Sequence, residues 1–278
     1  MSHPGQRLRH MLSGATMVVA PFVFDAFQAK IAQAAGFAAL YMTGFGTAAA
    51  RGFPDVGLLT MAEMVENVRY IANAVDVPLI CDADTGYGNP VNVYRTVREY
   101  EAAGAAALHI EDQVWPKRCG FLAGKQVIPL AEMVPKVRAA CDAKKDLVII
   151  ARTDALAVNG WEDVATRARA YREAGADLIF VDGIRTLDDM QRYVSELSDV
   201  PLLYNGQLLP VHETEKMGFK LMIHSGPLMA FYLRWRDLMR ELKQSGAISH
   251  SMEPGAFGEM TALLGVSEAL ELGKKYEN

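Results

Sequence analysis

One unit recurs along this chain of 278 residues: a helically patterned stretch closes on Gly, and an apolar β-type run begins within a few residues. It is found as AQAAGFAALYMTG (32–44), YEAAGAAALHIED (100–112), YREAGADLIFVDG (171–183) and EKMGFKLMIHS (215–225). A Gly just past a helix takes the left-handed closing conformation at little steric cost. The run that follows is apolar at successive positions, as a parallel strand covered on both faces requires. Two further strands enter through Val-Pro, at VPLICDAD (77–84) and VPLLYN (200–205), where Pro is tolerated as a first strand residue. The strands expected in all are 16–20, 38–43, 78–82, 106–111, 147–151, 177–182, 201–205 and 219–224. Helical patterns separate them near 25–35, 61–75, 90–103, 131–143, 161–174, 186–197 and 211–217, and one more follows at 227–244. Strands alternating with helices build βαβ units. Eight of them without a Gly-rich phosphate fingerprint favour a closed (β/α)8 TIM-type barrel, with an open doubly wound sheet as the alternative.

Length and composition agree with that reading. One barrel fits 278 residues, and no low-complexity linker divides the chain, so residues 1–278 read as one domain with a C-terminal helical extension from about 250. Hydrophobic residues make up 51%, enough for a barrel's core, and a net charge of −5 offers no electrostatic footprint for nucleic acid or an anionic membrane. Residues 31–50 carry no charge, yet Gln33, Gly36, Thr43, Gly44 and Gly46 divide the stretch into helix end, strand and loop rather than a membrane span. Cys81, Cys119 and Cys141 form no CxxC pair, which points away from zinc and disulfides and towards reduced thiols in a cytoplasmic setting.

Polar residues collect where the strands end: Thr43; Asp82 and Asp84; Glu111 and Asp112; Arg152, Thr153 and Asp154; Asp182; Asn205; His224 and Ser225. In a barrel these positions converge on one mouth, where active sites are built. Carboxylates at close range raise one another's pKa or require a cation. Asp82, Asp84 and Glu111 offer oxygen only, so the expected ion is Mg²⁺ or Mn²⁺, held by one or two carboxylates with the rest holding its waters. Capping of loops or helices is the structural alternative for Asp84 and Asp112. Arg152 suits a substrate carboxylate, with a salt bridge to the ring as the alternative. His109 reads as a core or inter-strand histidine. The long segment WPKRCGFLAGK (115–125) sets Cys119 beside Lys117 and Arg118, which is expected to lower the thiol pKa, and Gly120 and Gly124 suit a closing loop.

The motifs DADTGYGN (82–89), LHIEDQVWPKRCG (108–120) and IIARTDA (149–155), in this order, resemble the isocitrate lyase/phosphoenolpyruvate mutase superfamily, and the similarity runs from about residue 6 to 245. YMTGFGTAAARGFPDVGLLT (41–60) is similar to the mutase and oxaloacetate hydrolase branches. The resemblance implies a barrel whose eighth helix is swapped with a neighbour in a homotetramer built as a dimer of dimers. It assigns Mg²⁺ to Asp82 and Asp84, with Asp55 and Glu111 on its waters. It gives Thr43, Gly44 and Arg152 to the substrate's carboxylate and oxo group, Tyr41 to the same pocket, Cys119 to the catalytic thiol and Asn205 to the substrate's distal end. Four departures stand out. Phe121 replaces a loop His, Asp182 stands where Glu is usual, Phe45 fills a position that is commonly small, and NGQLLP (205–210) lacks the usual Glu-Gly continuation. They imply altered substrate fit, with Gly120 and Phe121 beside the ligand.

The activity so implied is Mg²⁺-dependent cleavage of a C–C bond in a small 2-hydroxy di- or tricarboxylate, releasing a 2-oxo acid such as pyruvate. Phosphonopyruvate-type P–C chemistry and oxaloacetate hydrolysis or decarboxylation are the enzymatic alternatives. A non-catalytic binding protein is the alternative of another class.

Overall fold

The computed structural model describes residues 3–120, 122–249 and 253–277. Phe121, and what the sequence suggests for it, lies outside them.

Eight parallel strands close on themselves in chain order: β1 (Val18–Val23), β2 (Leu40–Met42), β3 (Leu79–Asp82), β4 (Ala107–Glu111), β5 (Val148–Thr153), β6 (Leu178–Val181), β7 (Leu202–Asn205) and β8 (Leu221–His224). The closing pair sets Val18 against Leu221 and Pro21 against His224. That pairing excludes the open sheet. It also carries the first strand past Pro21, where the sequence alone suggested an end near residue 20.

The helices are α1 (Pro4–Ser13), α2 (Ala26–Ala34), α3 (Gly44–Ala50), α4 (Met61–Ala74), α5 (Pro90–Ala102), α6 (Leu130–Ala143), α7 (Trp161–Glu173), α8 (Leu187–Glu196), α9 (Val211–Lys216), α10 (Gly226–Ser245), α11 (Ala256–Leu263) and α12 (Val266–Lys275). Local chemistry starts several of them. Thr60 with Glu63, and Asn89 with Asn92, form reciprocal capping boxes at α4 and α5, which satisfy amides that a helix start leaves without partners. α1 and α3 add to the helices that the sequence suggests: α1 is a short segment with Leu8, Met11 and Leu12 as its apolar residues, and α3 is a seven-residue Gly/Ala-rich segment.

Strand alternation sorts the apolar residues into two cores. One fills the barrel and includes Val18, Tyr41, Ile80, Val148, Ile150, Leu178, Phe180, Leu203, Leu221 and Ile223. Leu8 of α1 belongs to it and plugs the floor. α1 comes that close because Gly5 lacks a side chain, since a Cβ there would stand 2.2 Å from the Asp146 carbonyl oxygen. The second core lies between strands and outer helices.

The C-terminal helices differ from the rest. Among the described residues α10, α11 and α12 bury none of their side chains. On α10, Met229, Phe231, Tyr232, Leu233 and Trp235 are all exposed. Among the described residues no helix is long and apolar enough to cross a membrane.

Candidate active site

Residues of barrel-facing parity carry the polar groups at the mouth. Asp82 follows Ile80 on β3, His109 and Glu111 alternate on β4, Arg152 follows Ile150 on β5, and Asp182 follows Phe180 past β6. Asp82 (6% exposed), Glu111 (1%) and Arg152 (7%) are buried together. Arg152 Nε lies 3.2 Å from Glu111 and 2.9 Å from Asp154, and Nη2 lies 3.4 Å from Asp182. The Arg152 guanidinium also stands 5.1 Å over the Phe180 ring. Arg152 is therefore salt-bridged to the carboxylate ring, the structural alternative for it.

Asp112 has the opposite parity and faces the outer helices. Its carboxylate accepts from Thr153 Oγ1, the Asp154 amide, Tyr171 Oη and Arg167, so it ties β4 and β5 to α7. His224 is likewise outside the barrel ring, its Nδ1 accepting from the Gly226 amide.

The strand-to-helix turn after β2 forms one wall. Thr43 caps α3 through the Gly46 amide, and the Gly44 amide donates to Asp82 Oδ2 at 3.2 Å. A Cβ on Gly44 would sit 2.5 Å from that oxygen, so only Gly permits the approach. Phe45, the next residue, is 43% exposed. Below this wall Tyr41 Oη and His109 Nε2 are 2.8 Å apart, and His109 lies 3.7 Å from Asp82 Oδ1. Asn205 ends β7 with its Oδ1 buried and without a hydrogen-bond partner.

Two lysines from the long loop balance the acids. Lys117, 3% exposed, ion-pairs with Asp55 and lies 2.8 Å from Asp84 Oδ1. The ammonium that the sequence placed as a field on Cys119 is thus drawn into the acidic cluster. Lys125 Nζ reaches Asp154 at 2.7 Å and Asp182 at 2.8 Å. Sequence reading missed Lys125. The excess of carboxylates over the single Arg was the signal, because buried acids in such number require further cations. Arg118 is exposed and braces the loop from outside, donating to the Ala123 carbonyl while its backbone pairs with the Gln113 amide group.

Cys119 is 9% exposed, and its amide donates to the Asp55 carbonyl at 3.1 Å. A Cβ on Gly120 would stand 2.5 Å from Asp182. The thiol-bearing turn therefore lies over the mouth, bridging the Asp55 and Asp182 sides.

Proton affinities follow from this burial. Burial, aided by Asp82 and opposed by Lys117, pushes Asp84 up to about 6. Burial raises Glu111 well above the usual carboxylate range despite Arg152. For Asp82, burial is outweighed by His109, Lys117 and Arg152, and the carboxyl stays below its ordinary value. Burial brings His109 down to about 4, so it is neutral near pH 7.

The donor set suits a hard divalent cation. Its donors are oxygens, Glu111 Oε1 is buried without a hydrogen-bond partner, and Asp84 Oδ1 meets Lys117 only off the hydrogen-bonding direction. Lys117 stands among the acids as a stand-in cation. Among the described residues no three His, Cys, Asp or Glu side chains are placed to share an ion directly. An ion here would take one or two carboxylates, with water and ligand oxygens completing its shell, a common mode for Mg²⁺.

Comparison with known proteins agrees with the geometry. Residues 8–243 match the family model described as phosphoenolpyruvate phosphomutase. The chain is 40% identical to 2,3-dimethylmalate lyase of Eubacterium barkeri, over 97% of each chain. It superimposes on oxaloacetate acetylhydrolase in complex with 3,3-difluorooxalacetate with a TM-score of 0.91 and 37% identity, covering 98% of this chain and 97% of that one. A phosphonopyruvate hydrolase complex with oxalate and Mg²⁺ matches with a TM-score of 0.89 and 30% identity, over 99% of each chain.

Proposed function

Because this chain belongs to the phosphoenolpyruvate phosphomutase family, we propose that it is a magnesium-dependent carbon–carbon lyase acting on a small 2-hydroxy di- or tricarboxylate of the dimethylmalate or methylisocitrate kind. The supporting observation is the placement of the Cys119 turn across the mouth that holds Asp82, Glu111 and Arg152. A binding protein has no need of a thiol there; a lyase needs a proton donor for the carbon it releases.

Asp82 and Asp84 would hold the ion, with Asp55 and Glu111 on its waters once Lys117 yields. Bound there, Mg²⁺ supplies Lewis-acid polarisation of the substrate's carboxylate and C2 oxygen. Arg152 and the Gly44 end of α3 fix the carboxylate, since helix starts and guanidinium forks favour anions. Tyr41 pairs with neutral His109 beneath Asp82, the imidazole lying 3.7 Å from the carboxylate. Glu111, as the carboxylate paired with Arg152, accepts the C2 hydroxyl proton. The C2–C3 bond electrons then pass to the departing carbon, and Cys119 Sγ–H delivers the proton that completes that fragment. Asn205 Oδ1, Asp182 and Phe45 face the substrate's remaining substituents.

Hydrolytic cleavage of oxaloacetate is the second reading, favoured by the likeness to oxaloacetate acetylhydrolase along nearly the whole chain. A panel of branched 2-hydroxy diacids, oxaloacetate and phosphonopyruvate, assayed for 2-oxo acid, oxalate and phosphate, separates these chemistries. Cys119→Ser should bind Mg²⁺ as before and lose most turnover; full turnover would remove the thiol's role. For the assembly, the solvated apolar face of α10 supports exchange of this helix with a neighbour in a homotetramer. A reducing, cytoplasmic compartment would keep Cys119 a thiol.

A further inference from the structure

Beside the barrel mouth, but outside it, a cavity of about 840 Å³ opens where α4, α5 and α6 begin, with Thr60, Asn89 and Glu132 on its lining. Met61 and Trp115 are among its apolar walls, and Lys136 of α6 lines it. Lys136 is only 6% exposed. Among the described residues its ammonium has no hydrogen bond and no carboxylate within ion-pairing reach, which sets it apart from the buried Lys117 and Lys125. The acids nearest in its field are engaged or solvated. Glu111 is held by Arg152, Asp112 accepts from Thr153, Tyr171 and Arg167, and Glu132 is exposed. With its stem buried and no carboxylate at contact distance, the ammonium meets only what fills the cavity, and helix starts add positive potential on the same side. α6 itself begins at Pro129 without a side-chain cap.

We propose that this cavity binds a small monoanionic organic acid, its carboxylate on Lys136 Nζ and its apolar body against Met61 and Trp115. Glu132 at the rim disfavours a second negative charge, so the site discriminates against the dianions expected in the barrel. Its occupant would also touch the catalytic loop where it starts, because Trp115 is two residues from Lys117 and packs on Gly57, whose added Cβ would meet the indole at 3.0 Å. The inference rests on this cavity alone and stands whichever substrate the barrel takes.

The test uses 4-bromobenzoate with the full-length protein. Calorimetric titration should show binding by the wild type, at least tenfold weaker binding by Lys136→Met, and retention by Lys136→Arg. In crystals of the wild type soaked with the same acid, the bromine anomalous peak should fall in the cavity with the carboxylate on Lys136, a result that does not depend on any variant folding. Equal binding by Lys136→Met, no calorimetric binding by the wild type, or bromine only in the barrel mouth would overturn the proposal.

Discussion

Lys117→Met removes the ammonium that pairs with Asp55 and Asp84. The ammonium and both of its partners, Asp55 and Asp84, are no more than 9% exposed. Deleting one member of a buried pair costs about 3–5 kcal/mol, because the partner is left charged and unsolvated. For a chain of this length about 2 °C of melting temperature accompanies each kcal/mol, so a fall of about 6–10 °C is expected in chelator. Protonation can relieve part of the loss. Asp84 already stands at about 6 with Lys117 opposing the rise, so without that opposition it holds a proton still more readily. The folded variant then binds more protons than the unfolded chain, and its stability declines as pH rises. The deficit relative to wild type should accordingly be larger at pH 8 than at pH 6. Excess Mg²⁺ should raise the melting temperature of the variant more than that of the wild type, since the ion no longer has to displace an ammonium. Thermal unfolding in EDTA and in Mg²⁺, at both pH values, measures all three effects. A loss below about 2 °C in chelator, or an equal Mg²⁺-induced shift in both proteins, would refute the reasoning.

Three further outcomes are expected. Gly44→Ala pushes a methyl group against the Asp82 carboxylate; calorimetry should show Mg²⁺ affinity reduced by about 10–100-fold with an unchanged circular dichroism spectrum. Lys125→Met leaves Asp154 and Asp182 to share Arg152 alone; denaturant titration should show a loss of about 3 kcal/mol, faster alkylation of Cys119 by peptide mapping, and recovery of most of both in Lys125→Arg. His109 binds its proton near pH 4 in the folded protein, below the ordinary histidine value. Between those values the unfolded chain binds more protons, so acidification from about 6.5 to 4 removes stability; His109→Gln should lack this component when the two unfolding curves are compared across that window.

The barrel and most of its polar mouth were legible in the sequence because periodicity and strand ends are local properties. The eight strands lie within a few residues of the apolar runs, β1 (Val18–Val23) being the one displaced past its expected end, and helices separate most of them as the pattern suggests. The ring of strand-end residues was read as one group, although parity along each strand divides it: Asp82, Glu111, Arg152 and Asp182 share the interior register, whereas Asp112 and His224 do not. That division was available from alternation alone. The destinations of Lys117 and Lys125 were not, because a loop's path across a barrel mouth is set by the tertiary arrangement of the acids that attract it. Nor could spacing say how many of the ring carboxylates Arg152 would meet, which is three.

The helix that follows β8 buries none of its described side chains, and of its aromatic residues Phe231 touches the barrel through Phe24 while Tyr232 and Trp235 remain exposed. If a neighbouring copy covers that surface, part of the folding free energy is supplied by mass action rather than by intramolecular packing. Resistance to heat or denaturant then becomes a function of how much protein is in the tube, rising with each increase in protomer concentration. Dilution would weaken the fold without any change in sequence, and a surface substitution on α10 could do the same while leaving every residue of the barrel mouth untouched.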